Sequence, residues 1–161
     1  MAVFSVGPAV LLVTLAILAA PPGFAASVTY SVSPYKPEEK EVAQAFERVF
    51  QAYAGKSLSG LTEHFADGVV YWPERSGDPR NPSALPKYEG RTRVAVALTS
   101  GTSRNHKATV LGVQVSGRQA VVTARHVFEV GERTIRNKEE TRRWKFRKEG
   151  ERWRVYELDA R

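Results

Sequence analysis

RRWKFRKEGERWRVYELD, residues Arg142 to Asp159, alternates bulky and basic side chains on either side of a Glu149-Gly150 pair. This is the period-two pattern of two strands joined by a tight turn. With the turn at Glu149-Gly150, Phe146 is expected opposite Trp153, Trp144 opposite Val155, and Arg142 opposite Glu157. The inner face is then aromatic. The outer face carries Arg143, Lys145, Arg147, Arg152 and Arg154.

A second hairpin is legible upstream. If Gly117-Arg118 is its loop, Val115 faces Ala120, Val113 faces Val122, Leu111 faces Ala124 and Thr109 faces His126. A wrong register would set polar against apolar side chains, and this one does so only at its far end, at His126. From Lys107 onward the chain therefore reads as sheet.

The N-terminal half carries the helical period. Pro37-Glu-Glu-Lys-Glu-Val opens a helix with Pro in its first turn and acids at its positive end, and Val42, Ala45, Phe46, Val49, Phe50 and Tyr53 fall on one face as far as about Gly55. Ser57 to Asp67 predicts a capped second helix with Leu58, Leu61 and Phe65 inward, followed by a strand over Gly68 to Trp72. Pro73 to Gly90 reads as a long proline-rich loop, and Gly90 to Leu98 as a third helix with Thr92 as its cap.

With 161 residues, 42% of them hydrophobic, the chain fits one domain with one core. Its first 26 residues are uncharged. An apolar run from Pro8 to Ala20, the breaker Pro21-Pro22-Gly23 and the small pair Ala25-Ala26 predict a signal peptide over 1–26, cleaved near Ala26, although no Lys or Arg precedes the run. The run is short for a membrane span, so an uncleaved anchor is the alternative. Residues 27–36 read as a linker and 37–161 as the folded domain, periplasmic or secreted. The absence of cysteine excludes disulfides, thiolate catalysis and Cys-based metal sites. The excess of 24 Lys and Arg over 17 Asp and Glu implies anionic neighbours. No motif points to nucleic acid.

Helix, helix, Phe65-Ala66-Asp67-Gly68-Val69-Val70, loop, Gly90-Arg91 opening a short helix, then the strands carrying Arg143-Trp144-Lys145-Phe146 and Trp153-Arg154-Val155: this order resembles the nuclear transport factor 2-like superfamily, and within it the SnoaL-like domains. The likeness spans about Glu38 to Asp159. It implies an α+β fold, also called cystatin-like, in which a cone-shaped curved antiparallel sheet packs on three N-terminal helices around one apolar pocket. Relatives often dimerise through the outer sheet face. Against the ketosteroid isomerase branch, the catalytic positions fall on Trp72 or Pro73, on Val49 and near Arg142, none of which is the acid or tyrosine that chemistry needs.

Each candidate site residue carries two readings. His126 at the end of an apolar face is a general base, or a rim histidine bonded to backbone or water. Arg142 binds a carboxylate or enolate oxygen, or is neutralised by Glu157. Trp72, Trp144 and Tyr53 line a ligand pocket, or are core, as Trp153 is expected to be. Glu74 and Asp78 on the long loop supply an acid, or are solvated. His64, His106 and His126 lack metal-ligand spacing, so neither a metal nor another cofactor is expected. The outer basic stripe binds anions or a partner, or is relieved by neighbouring acids such as Glu129.

The residues thus support a binding domain for a small apolar, amphipathic or anionic molecule. The alternatives are an isomerase, dehydratase or cyclase with His126 as base and Arg142 or Tyr53 stabilising an oxyanion, and an envelope interaction module using the basic outer face.

Overall fold

The computed structural model describes residues 26–34, 36–73 and 87–161. Of the expected signal segment, 1–26, residues 1–25 lie outside the described residues, as do Glu74 and Asp78 within 74–86. Among the described residues no helix is long and apolar enough to cross a membrane.

Helix α1 spans Pro37–Ala54, with Pro37 in its first turn and the Lys36 N–H donating to Glu39 Oε2 at 3.3 Å. The six apolar residues picked out by spacing are all buried, from Val42 to Tyr53. Helix α2 covers Leu58–His64, and Ser57 Oγ caps it by accepting from the Gly60 N–H at 3.1 Å. It is shorter than expected. Phe65 leaves the helix and begins strand β2, Phe65–Trp72, because it pairs with Val155 of the last strand instead of continuing a helical turn. Phe65 and Leu61 are buried as expected, whereas Leu58 is exposed.

Strand β1 covers Ser27–Tyr30, within the stretch read as a linker, and is followed after α1, α2 and β2 by β3, Tyr88–Glu89, and helix α3, Arg91–Thr99. Four long strands complete the chain: β4 Arg104–Ser116, β5 Gln119–Val130, β6 Arg136–Glu149 and β7 Arg152–Asp159. The sheet order is β1-β4-β5-β6-β7-β2-β3. The expected all-antiparallel sheet is corrected to an open mixed one, since β1 runs parallel to β4 and β2 parallel to β7. The helices are interleaved with strands, α3 following β3.

The two sequence motifs on either side of the long loop meet here. Gly90 precedes α3 with φ +89°, a left-handed conformation that side chains resist, and its N–H donates to the Val69 carbonyl at 2.9 Å. That turn lets Arg91 reach Asp67 at 2.8 Å. Gly90 itself is the residue before the helix, in place of the expected Thr92 cap.

Both hairpins form, each with a register detail that alternation alone misses. Val115 faces Ala120 and Val113 faces Val122 as expected, but a bulge at Leu111 then sets Val110 opposite Ala124 and Ala108 opposite His126. The extra residue turns Leu111 outward, where it is exposed. In the last hairpin the loop is Gly150-Glu151, so Glu149 pairs with Arg152 and Phe146 with Val155. A bulge at Tyr156 moves Leu158 opposite Trp144 and Glu157 opposite Lys145. The inner face stays apolar, and the core between helices and sheet is built on Trp144, Phe46, Phe50, Phe65, Phe146 and Leu158. Burial of this apolar surface is the main stabilising term.

The outer basic stripe is largely neutralised. Arg143 pairs with Asp159 at 2.7 Å, Lys145 with Glu157 at 2.8 Å, and Arg147 with Glu149 at 2.7 Å.

Candidate functional site

Strict alternation places Glu140, Arg142, Trp144 and Phe146 of β6 on the concave face. Pairing with β5 sets His126 directly opposite Glu140, and Ala124 opposite Arg142. Helix α1 lays Tyr53 and Phe50 over this end of the sheet, and β4 contributes His106. The outcome is a buried polar cluster: His106 is 2% exposed, His126 0%, Arg142 5% and Tyr53 3%.

The Arg142 guanidinium is bound through Nε and Nη2 to Glu140 Oε1, and it lies 5.0 Å from the Tyr53 ring centroid and 5.9 Å from that of Phe128. Glu157, the expected partner, is instead taken by Lys145 because of the bulge at Tyr156. Burial alone would lower the Arg142 pKa, but the nearby Tyr53, Glu140 and Tyr71 oxygens raise it, so the group stays charged. Its Nη1 is buried with no hydrogen-bond partner.

His126 is fixed as a donor. The Trp144 indole Nε1–H can only donate, and it donates to His126 Nε2 at 3.1 Å. The ring's proton therefore sits on Nδ1, which is buried and unpartnered. Burial first, then the charge of Arg142 and the neighbouring His106, hold the pKa of His126 well below its ordinary value. A neutral imidazole whose one lone pair is already occupied is a poor general base and a good hydrogen-bond donor. His106 is likewise neutral, pushed down to about 4 by burial and Arg142 against an opposing hydrogen bond with the Ser103 backbone.

Tyr71 of β2 completes the polar wall. It stacks on Tyr88 with centroids 5.9 Å apart, and burial raises its pKa against the pull of Arg142. Tyr53, His126, Arg142 and Trp144 lie together in this cluster. Trp72 is not among them. It faces the other side of the sheet, where the Arg161 guanidinium lies 4.4 Å from its ring and Asp159 is its neighbour in the chain pairing of β2 and β7. Sequence reasoning missed Glu140, Tyr71 and Phe128. Extending the β6 alternation by one more step would have found Glu140.

Three buried side-chain nitrogens of the cluster lack a partner, Arg142 Nη1, His126 Nδ1 and His106 Nδ1, and the first two are donors in an aromatic surround. Such a pair suits an oxyanion, a carboxylate or an enolate, and excludes a bare cation. Among the described residues no group of three or more His, Asp or Glu side chains is placed to hold a metal ion.

No protein-family model and no curated protein matches the chain. Solved structures do. A ketosteroid isomerase-like protein from Erwinia carotovora atroseptica superposes with a TM-score of 0.64 at 14% identity, over 78% of this chain and 95% of its own. A candidate dehydratase of the nuclear transport factor 2-like family from Streptomyces avermitilis gives 0.60 at 16% identity, over 76% and 94% of the two chains. A nuclear transport factor 2-like protein with a cystatin-like fold from Novosphingobium aromaticivorans gives 0.58 at 16%, over 74% and 78%. With three helices packed on an open, mixed seven-stranded sheet among the described residues, this chain has the nuclear transport factor 2-like fold, of the α+β class.

Proposed function

We propose that this protein binds a small amphipathic molecule on the concave face of its sheet, with the molecule's oxyanion at Arg142. The observation that carries this reading is Arg142 Nη1, a charged donor buried without a partner beside the equally unpartnered His126 Nδ1. A buried unsatisfied donor costs about 1–3 kcal/mol, more for a charged group, and a ligand oxygen recovers that cost. Phe50, Phe128 and Tyr53 surround the pair and supply contact for the apolar part of the molecule. The uncharged N-terminal segment supports export of the domain, so an extracytoplasmic ligand is expected.

Native mass spectrometry of the protein purified from its own host tests this. A bound small molecule carrying a carboxylate or similar oxyanion is expected, and it should be lost in the E140Q/R142M double variant. Protein that flies at its bare mass, or a ligand retained by that variant, would sink the proposal.

A catalytic reading rests on one observation: Arg142 Nη1 and His126 Nδ1 are both buried donors without a partner, and donors of this kind can stabilise an enolate. In that case the proton acceptor is Glu140, the carboxylate opposite His126, and not His126 itself. Turnover that survived E140Q would remove this version.

A further inference from the structure

At the hairpin end of β6, about 20 Å along the strand from Arg142, a half-enclosed cleft of about 440 Å³ opens between α1, the end of α2 and the last hairpin. We infer that this cleft is a second site, for a phosphate-type oxyanion, held by Arg48, Arg152 and His64.

Three arginines converge there from two elements: Arg48 of α1, and Arg152 and Arg154 of β7. They are not equivalent. Arg154 is already positioned, its Nη1 donating to the Glu63 carbonyl at 2.6 Å and to that of Phe65 at 3.4 Å, and its Nε lying 3.4 Å from Glu149. Lys148 is cancelled by Glu41 at 3.0 Å, and Glu41 also accepts from Trp153 Nε1 at 3.3 Å. Arg152 meets Glu63 only at 3.9 Å, with both side chains mostly exposed. Arg48 makes no ion pair among the described residues. Arg48 is thus uncommitted and Arg152 is held only by its long contact to Glu63, so both can turn to an entering anion, which competes with Glu63 and Glu151 for them.

His64 sits half-buried between these groups. Burial lowers its pKa, Glu63 opposes this, and the charges of Arg48, Arg154 and Arg152 lower it further. An anion seated among them reverses the arginine contribution and lets His64 take up a proton, adding a further charge-assisted donor. Guanidinium groups fork onto phosphate and carboxylate oxygens alike, and it is the higher charge of phosphate, shared between two arginines, that favours it over a singly charged carboxylate. The volume admits a phosphate ester as well as the free ion, with the Trp153 indole as one wall.

The test uses the full chain and inorganic phosphate at pH 7, followed by calorimetry and by NMR of the His64 ring. Saturable binding is expected, with affinity reduced about tenfold in R48A and again in R152A, unchanged in E140Q/R142M, and with the His64 pKa raised in phosphate. Glycerol 3-phosphate that competes would assign esterified phosphate as the occupant, while binding of inorganic phosphate alone would assign the free ion. Absence of saturation, equal binding by the folded R48A/R152A variant, or an equal His64 response to sodium acetate at matched ionic strength would each overturn the inference.

Discussion

The Trp144 indole Nε1–H donates to His126 Nε2 at 3.1 Å, both side chains being completely buried. This one bond settles which nitrogen of His126 carries the proton, and so turns a candidate base into a fixed donor. The expected measurement is a ¹⁵N NMR spectrum showing the neutral Nδ1–H tautomer at pH 7 and still at pH 6.5, because burial holds the pKa well below that value. An imidazole that titrates near its ordinary value would contradict the assignment.

Replacing Trp144 with Phe removes the donor and leaves the His126 Nε2 lone pair buried. The combined loss of packing and hydrogen bond should lower stability by about 2–4 kcal/mol. The W144F/H126L pair, which removes both polar partners, should lose less than the sum of the single changes in chemical denaturation.

The Arg142 and Glu140 pair behaves as a unit. R142M alone strands a buried carboxylate and should cost about 3–5 kcal/mol, whereas E140Q/R142M leaves no unpaired charge and should recover most of that. Equal melting temperatures for R142M and the double variant would show that Glu140 is solvated and the pair unimportant.

The motif pair that marked the fold in the sequence is tied by backbone geometry at Gly90. With φ +89° and ψ 147°, a region essentially reserved for glycine, G90A meets no clash but takes on backbone strain and should lower stability by about 1–3 kcal/mol. A neutral or stabilising result in thermal unfolding would mean that the turn relaxes to another conformation.

Asp159 gives the fold a dependence on acid. Burial would raise its carboxyl, but hydrogen bonds from Arg161 and the charge of Arg143 bring it down to about 2. A group with its folded pKa depressed below the unfolded value of 3.8 adds stability that is present above pH 4 and lost as the pH falls toward 2. The contribution is on the order of 1–2 kcal/mol. Stability curves of wild type and D159N should therefore differ at pH 6 and converge near pH 2.

Much of the fold was legible because alternation and helical spacing are local properties. The buried face of α1 and the Gly117-Arg118 hairpin follow directly from them. What escaped was non-local. The bulges at Leu111 and Tyr156 change register without changing the apolar pattern, so Glu157 reads as a partner of Arg142 although it meets Lys145. The β1 pairing with β4 joins residues about 80 positions apart, and nothing in Ser27–Tyr30 announces it. Of the site, Tyr53, His126, Arg142 and Trp144 could be read from spacing. Trp72 could not be placed, because a short strand beside a long loop shows no alternation strong enough to choose its face; Tyr71 takes the inner position and Trp72 packs on Arg161.

The most direct test of the binding account is a crystal structure of the protein purified from its own host, viewed at the Arg142 Nη1 atom. The account predicts density for a small molecule whose oxygen lies within hydrogen-bond distance of both Arg142 Nη1 and His126 Nδ1. A site in which these two nitrogens face only ordered water, or a side chain of the protein itself, would contradict it.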